Sequence, residues 1–386
     1  NKGLTLSYVL GNDIDASSTK TWNNGAGFVP IANFSGTLDG KGHNINGLFI
    51  KRSTTNKVGL FSVVRNATVQ NVTVENADVS GKTYTGILMG EGYASTISNV
   101  HTSGVAKGDI STGGLAGFVQ NVNVDGSSSS AVVSSSNTLA GGLIARVMND
   151  NKTISNSHAS GDVQALAFAG GLLGDVSNSY SGTTKAYVKN SYATGSVKAT
   201  GSYQGVPNYY VGGLAGLAEN TVLTDVASAG EVTGSSFAGG LVAFLKGSTV
   251  DKAFSSGNVT VAGNLAGGFV ANSAGNNKIS NAGSTGNVVA TGTSSYWVGG
   301  FAGRSITGTV ISNSYATGNV TSDAYDVGGF AGYTLGTKIT DSTASGIVTS
   351  KSTKNIGKFM GSANGNVSVE NSAAKGTSSA GNKFVG

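Results

Sequence analysis

The chain contains no cysteine, two prolines and three histidines among its 386 residues. Without cysteine, disulfide staples and thiolate metal sites are excluded. The same lack suits a chain exported unfolded across an outer membrane, where a premature disulfide would jam passage. Charge is also scarce: 24 Lys and Arg against 19 Asp and Glu, 11% of residues, for a net charge of +5. The basic residues are scattered rather than gathered in a stripe, so nothing points to a nucleic-acid partner. No run of 18 apolar residues occurs, so no transmembrane helix and no membrane insertion are expected. The opening "NKGLTLSYVLGNDID" is polar too early to read as a signal peptide, which suggests a mature or excised chain.

What is abundant is glycine, at 61 residues, within a sequence that is 38% hydrophobic. Disordered chains are normally rich in proline and charge, and this one is poor in both. Its apolar residues are periodic, and the length is ample for a large core.

The period shows on aligning one recurrent glycine: Gly59, Gly86, Gly113, Gly141, Gly170, Gly212, Gly239, Gly267, Gly299, Gly328 and Gly357. The spacings are 27, 27, 28, 29, 42, 27, 28, 32, 29 and 29. Two residues after each stands Leu or Phe, from Phe61 and Leu88 to Phe330 and Phe359. A dozen residues on, a second column reads Asn71, Asn99, Asp125, Asn156, Asn190, Asp225, Lys252, Asn281, Asn313, Asp341 and Asn371. An aliphatic residue precedes that column by two, except at Asn123, and a glycine commonly follows it by five, as at Gly195 and Gly318.

Each copy therefore holds three short apolar segments bounded by Gly, Asn, Asp or Ser, the pattern of strands rather than helices. Three strands per copy predict one coil of a parallel β-helix, an all-β solenoid of about eleven 27–29-residue coils. Such coils stack at about 4.8 Å, giving a rod of about 50 Å. Corners need residues that accept positive φ or close backbone approach, which explains the Gly and Asn columns. The repeated Asn is expected to stack its amides into a ladder.

The front differs. Residues 8–50 read as short strands at 8–10, 28–31, 34–38 and 45–50, with a longer loop at 15–27. The expected division is thus 1–57 as N-terminal opening coils and 58–386 as the repeat solenoid. At the far end "NKFVG" resembles "GKFMG", so Phe384 is expected to begin a twelfth coil of a longer exoprotein.

The "GG(L/F)AG" step followed by "NSYATGNV" resembles the GLUG-type repeat of large bacterial surface proteins. The stretch "NDIDAS…WN…GF.PI..FSGTLDGKGHNINGLFI" is similar to the segment preceding such repeats in filamentous-haemagglutinin-like exoproteins and autotransporter adhesins. The resemblance spans about 8 to 361. It implies a right-handed β-helix, also the usual crossover hand. It further implies a secreted or cell-surface bacterial adhesin or biofilm protein, a monomeric rod whose partners are host-cell glycans or proteins, or biofilm polysaccharide. The "NPN" motifs of a two-partner secretion domain and the zinc-peptidase motif "HExxH" are absent from the sequence, so peptidase activity is not carried over.

Catalytic and metal constellations are sparse, and the expectation is a non-enzyme with no metal and no cofactor. None of His43, His101 and His158 has a second ligand at metal spacing. His101 and His158 share a repeat column with Tyr192, Phe254 and Tyr315, as wall residues would. Parallel β-helices also host polysaccharide lyases and hydrolases, which need paired carboxylates or a carboxylate with a base. Asp39 with Lys41 and His43 is the best such candidate, although "DGKGH" also reads as a turn. The binding signal is aromatic. The long spacings mark inserted loops carrying Tyr203, Tyr209 and Tyr210, and Tyr296 and Trp297, with Tyr325 equivalent in the next copy. These six are the candidate ligand-binding residues, since exposed Tyr and Trp offer flat faces for a sugar ring or a protein. A pure spacer stalk is the remaining alternative.

Overall fold

The computed structural model describes residues 2–148, 150–177, 184–199, 201, 209–292, 296–323, 325–381 and 383–386. The chain divides into two compact units, 1–195 and 196–386. Each is a parallel β-solenoid, and among the described residues helix is confined to 3₁₀ turns at Lys2–Thr5 and Ser17–Gly25.

In the first unit, one sheet stacks Phe61–Arg65, Met89–Tyr93, Ala116–Gln120, Ile144–Met148 and Leu173–Ser177, every pairing parallel. A second sheet stacks Tyr84–Thr85, Ser111–Gly113, Leu139–Gly141 and Phe168–Gly170. The third carries the long strands Thr68–Ser80 and Thr96–Gly108 and, before them, Ser7–Val9, Thr37–Asp39, Asn44–Asn46 and Phe49–Lys51. The segment 28–31, expected to be a strand, forms none; isolated bridges at its ends, Gly27 to Ile50 antiparallel and Ile31 to Phe61 parallel, and the Arg52 Nε bond to the Phe28 carbonyl at 3.0 Å tie it down. Much of the expected 15–27 loop is the 3₁₀ segment, broken by left-handed Asn23 and Asn24.

The second unit repeats the plan more regularly. Tyr210–Gly212, Phe237–Gly239, Leu265–Gly267, Trp297–Gly299, Val327–Gly328 and Ile356–Gly357 stack in register. So do Ala215–Glu219, Val242–Lys246, Val270–Ala274, Ala302–Ile306, Ala331–Leu335 and Met360–Asn364. In the Leu/Phe column of this unit, Leu214, Leu241, Phe301, Phe330 and Phe359 are fully buried and Phe269 is 1% exposed. Each such side chain contributes about 1.5–3 kcal/mol by leaving water. From Phe269 onward the rings stack face to face, with centroids 4.5, 4.7 and 4.8 Å apart through Phe301 and Phe330 to Phe359. Phe384 continues the stack 4.7 Å beyond Phe359, where the sequence places the next rung.

The corner chemistry separates into two devices. The Asn column supplies left-handed backbone: Asn71, Asn99, Asn156, Asn190, Asp225, Lys252, Asn281, Asn313, Asp341 and Asn371 all have φ between 44° and 54°. Asn tolerates this region because its short amide bonds locally. Asp125 does not belong to the column. Its place is taken by Gly126 at φ 58°, and Val124 pairs with Ile97 and Ile154, so the apparent break at Asn123 is a one-residue slip in alignment. The Gly-Gly steps keep ordinary φ and serve close approach instead. A Cβ at Gly213, Gly240, Gly268 or Gly300 would run into the carbonyl oxygen of the next rung's second glycine.

The amide ladder forms in short runs. Asn99 Nδ2 donates to Asn71 Oδ1 at 3.2 Å and Asn190 to Asn156 at 2.7 Å. In the second unit Asn313 donates to Asn281 at 2.6 Å. The serine after the Asn is buried and bonds in two directions. Ser157 Oγ donates to the Ser155 carbonyl and accepts from the Ser127 amide; Ser342 does the same for Thr340 and Ser314. That double bond satisfies backbone groups at a turn that would otherwise be orphaned. The recurrent "NS" is thus one left-handed residue plus one inter-rung staple.

Candidate functional site

Two places carry the candidate chemistry, one in each unit. In the first, Asp39 ends the strand Thr37–Asp39 and opens a turn through Lys41 at φ 53° and Gly42 at φ 85°. Its carboxylate accepts from the Lys41 amide at 2.9 Å, Asn71 Nδ2 at 3.0 Å and Gln70 Nε2 at 3.1 Å, and pairs with Lys41 Nζ at 3.3 Å. The Lys41 amide, followed by the Asn71 and Gln70 amides, holds its pKa far below the usual carboxylate range. A group so fully hydrogen-bonded is a turn anchor, and it is poorly suited to hold or pass a proton. His43 turns away from it, its Nδ1 lying 3.0 Å from Asp13 Oδ1. The two therefore do not form an acid–base pair. The remaining histidines are wall residues: His101 meets Ser128 Oγ at 2.8 Å, and His158 stacks on Tyr192 at 4.8 Å. No group of three metal-ligating side chains occurs among the described residues.

In the second unit the aromatic candidates separate. Tyr203 lies outside the described residues. Tyr209 is 3% exposed and offers no face to a ligand. Tyr210 is half-buried, ring to ring with Phe237 at 5.3 Å and Phe244 at 5.2 Å, and burial raises its hydroxyl pKa. Two outward columns meet here. One is Tyr210, Phe237, Leu265 and Trp297; the other is Leu217, Phe244, Asn272, Arg304, Tyr333 and Ser362. Their side chains lean together, so Tyr210 and Trp297 join a satellite cluster on Phe237, Leu265 and Ala271.

Three candidates do converge. Tyr296 is 37% exposed and meets Tyr325 edge-on at 5.0 Å and Trp297 at 6.2 Å. Trp297 Nε1 donates to Asp326 Oδ2 at 3.2 Å, while Asn355 Nδ2 donates to Asp326 Oδ1 at 2.6 Å. Tyr333 packs against Trp297 at 5.3 Å. The Arg304 guanidinium sits 4.8 Å over the Trp297 ring, and Lys354 Nζ sits 5.0 Å over Tyr325. Desolvation, then the neighbouring Tyr296, raises the Tyr325 pKa, so its hydroxyl stays a neutral donor. Such a ridge can stack a flat ring and donate hydrogen bonds around it.

Sequence reasoning missed Arg304, Tyr333, Asp326 and Lys354. Arg304 and Tyr333 stand five residues after the first glycine of their copies, an outward position whose occupants run from Leu217 to Ser362 and so show no type.

Known proteins match these features. The family described as the GLUG motif matches residues 294–321 and 323–349, the two coils that carry the ridge. A halomucin of Haloquadratum walsbyi is 36% identical over 177 residues, 44% of this chain and 2% of that protein. An immunoglobulin A1 protease of Streptococcus sanguinis is 32% identical over 227 residues, 54% of this chain and 11% of that protein. A Bacteroides ovatus crystal structure, described as a candidate immunoglobulin A1 protease, aligns at TM-score 0.46 and 24% identity over 58% of this chain and 68% of that one. The chain thus spans a small part of the curated relatives it matches. Motif, register and parallel coils agree: this chain is a parallel β-solenoid that carries GLUG motifs at 294–321 and 323–349.

Proposed function

We propose that this chain is a non-catalytic segment of a secreted bacterial surface protein, and that it binds glycans through the ridge of Tyr296, Trp297 and Tyr325. The observation that carries the reading is the ridge itself. Other aromatic side chains reach the wall, among them Tyr192 on His158 and Phe254 beside Tyr315, but here two tyrosines and a tryptophan meet in one group, with Tyr296 exposed and Arg304 and Lys354 lying over its outer rings. Aromatic faces of this kind stack on the C–H face of a sugar, and phenol and amide groups at the rim take its hydroxyls. The named relatives, a halomucin and an immunoglobulin A1 protease, are much longer chains, as expected if such coils form one part of a surface protein. Peptidase activity is not transferred, because the match covers 11% of that protease and "HExxH" is absent from this sequence. The occupied acceptors of Asp39 count against the polysaccharide-cleaving alternative.

The test is a glycan array probed with the whole chain and with the Tyr296→Ala/Tyr325→Ala double variant, folding checked by circular dichroism. Binding lost in a folded variant supports the ridge. Equal binding by both forms refutes it. Release of reducing ends or unsaturated products from an array polysaccharide would restore the enzymatic alternative.

A further inference from the structure

The ridge is bracketed by two cations. Arg304 and Lys354 each lie over an aromatic ring at opposite ends of the series Trp297, Tyr296, Tyr325. Neither has a carboxylate within ion-pair distance among the described residues, and Arg304 Nε is buried with no hydrogen-bond partner there. In the first unit the cation at the Arg304 position is neutralised internally. Arg146, at the repeat position of Arg304, pairs with Asp175 one rung on at 3.1 Å. In the second unit that next rung carries Tyr333 instead. Arg65 also lies over an aromatic ring, 4.1 Å from Tyr93, without an ion pair among the described residues, but there the ring hydroxyl is taken by Glu91 at 3.0 Å. The one carboxylate in the ridge, Asp326, is already engaged by Trp297 and Asn355.

We propose, building on the glycan-binding reading, that the ridge takes an acidic polysaccharide, with a uronate ring on Tyr296 and Tyr325 and its carboxylate drawn to Arg304 or Lys354. A cation resting on an aromatic face is incompletely paired, and a carboxylate gives it a charge-assisted hydrogen bond in place of that weaker contact. Tyr333 gives Arg304 no charge in the place where Asp175 pairs with Arg146. A neutral sugar would use the aromatic faces and leave both cations unchanged.

The experiment is affinity gel electrophoresis of the whole chain through gels containing polygalacturonate, chondroitin sulfate, polyglutamate or dextran. Wild type, Arg304→Gln, Lys354→Gln and the double variant are compared, with melting temperatures confirming the fold. The expected result is retardation by polygalacturonate, weakened roughly tenfold or more in the double variant, as loss of charge-assisted bonds predicts. Retardation should also fade as salt shortens the Debye length from about 10 Å at 0.1 M to about 3 Å at 1 M. Equal retardation by polyglutamate would overturn the sugar assignment, and equal retardation by chondroitin sulfate would overturn the preference for carboxylate. Binding of dextran that is lost in Tyr296→Ala/Tyr325→Ala but kept in Arg304→Gln/Lys354→Gln would overturn this proposal while leaving the glycan-binding reading intact. No retardation by any polymer would overturn both.

Discussion

Phe330 is the sharpest place to ask whether the ring stack adds anything beyond burial. It is fully buried in the second unit, with Phe301 4.7 Å below and Phe359 4.8 Å above, interplanar angles 3° and 4°. Truncation to Ala removes the ring and leaves a cavity, at a cost of about 3–5 kcal/mol. Phe330→Leu is more informative, because Leu214 and Leu241 show that the slot accepts leucine. Leucine keeps most of the buried apolar surface and loses two aromatic contacts, each contributing about 0.5–1.5 kcal/mol, so the expected cost is about 1–3 kcal/mol. The assay is urea unfolding followed by far-ultraviolet circular dichroism and by Trp297 fluorescence in a Trp22→Phe background. A shift in midpoint at constant slope then reports stability. If Phe330→Leu falls within about 0.5 kcal/mol of wild type while Phe330→Ala does not, the stack is only the geometry that a 4.8 Å rung spacing imposes on stacked rings.

Lys252 holds a left-handed position that Asn fills in most coils, and its pair with Asp225 is 4.0 Å long and exposed. Lys252→Asn should therefore raise stability by about 0.5–1 kcal/mol; an unchanged or lower urea midpoint would contradict the backbone explanation of the column. Gly240→Ala drives a Cβ into the Gly268 carbonyl and should cost about 3 kcal/mol or more, whereas Gly11→Ala meets nothing and should be nearly neutral. Similar losses at both sites would mean the glycine steps do not set rung spacing. Asp39 has a folded pKa below its ordinary value of 3.8, so its contribution is complete above that pH and is lost as pH falls through the folded value. The melting-temperature gap between wild type and Asp39→Asn should narrow on acidification; a constant gap would show that the hydrogen bonds to Asp39 add no stability.

The coil pattern was legible because inward positions tolerate so few residue types. Leu or Phe must fill the core, and Asn, Asp or Gly takes the left-handed corner everywhere but at Lys252. A second left-handed corner escaped notice because its occupants vary, from Asn66 and Ala94 to Asn121, Asn220 and Thr307. The role of serine in "NS" was equally hidden, since a buried staple and a solvated turn use the same residue. At the candidate site, Tyr296 and Trp297 stood out as aromatic residues in a long copy, and Tyr325 as their equivalent in the next. Tyr209 and Tyr210 did too, yet one is buried and the other packs on Phe237 and Phe244. Spacing marks an insertion, and only packing decides which of its rings stays outside. Arg304 and Lys354 carry no local signal at all, because what distinguishes them is a missing partner one rung away.

The glycine steps also bear on how such a chain changes over generations. Each coil meets its neighbours through the same carbonyl-to-glycine contacts and the same buried Leu or Phe, so a duplicated or deleted coil presents an unaltered interface on both sides. A shift of one or two residues inside a coil does not; it must be absorbed locally, as at Gly126, or expelled into a loop. Inheritance therefore works in whole turns, and added residues collect where a turn has been allowed to lengthen.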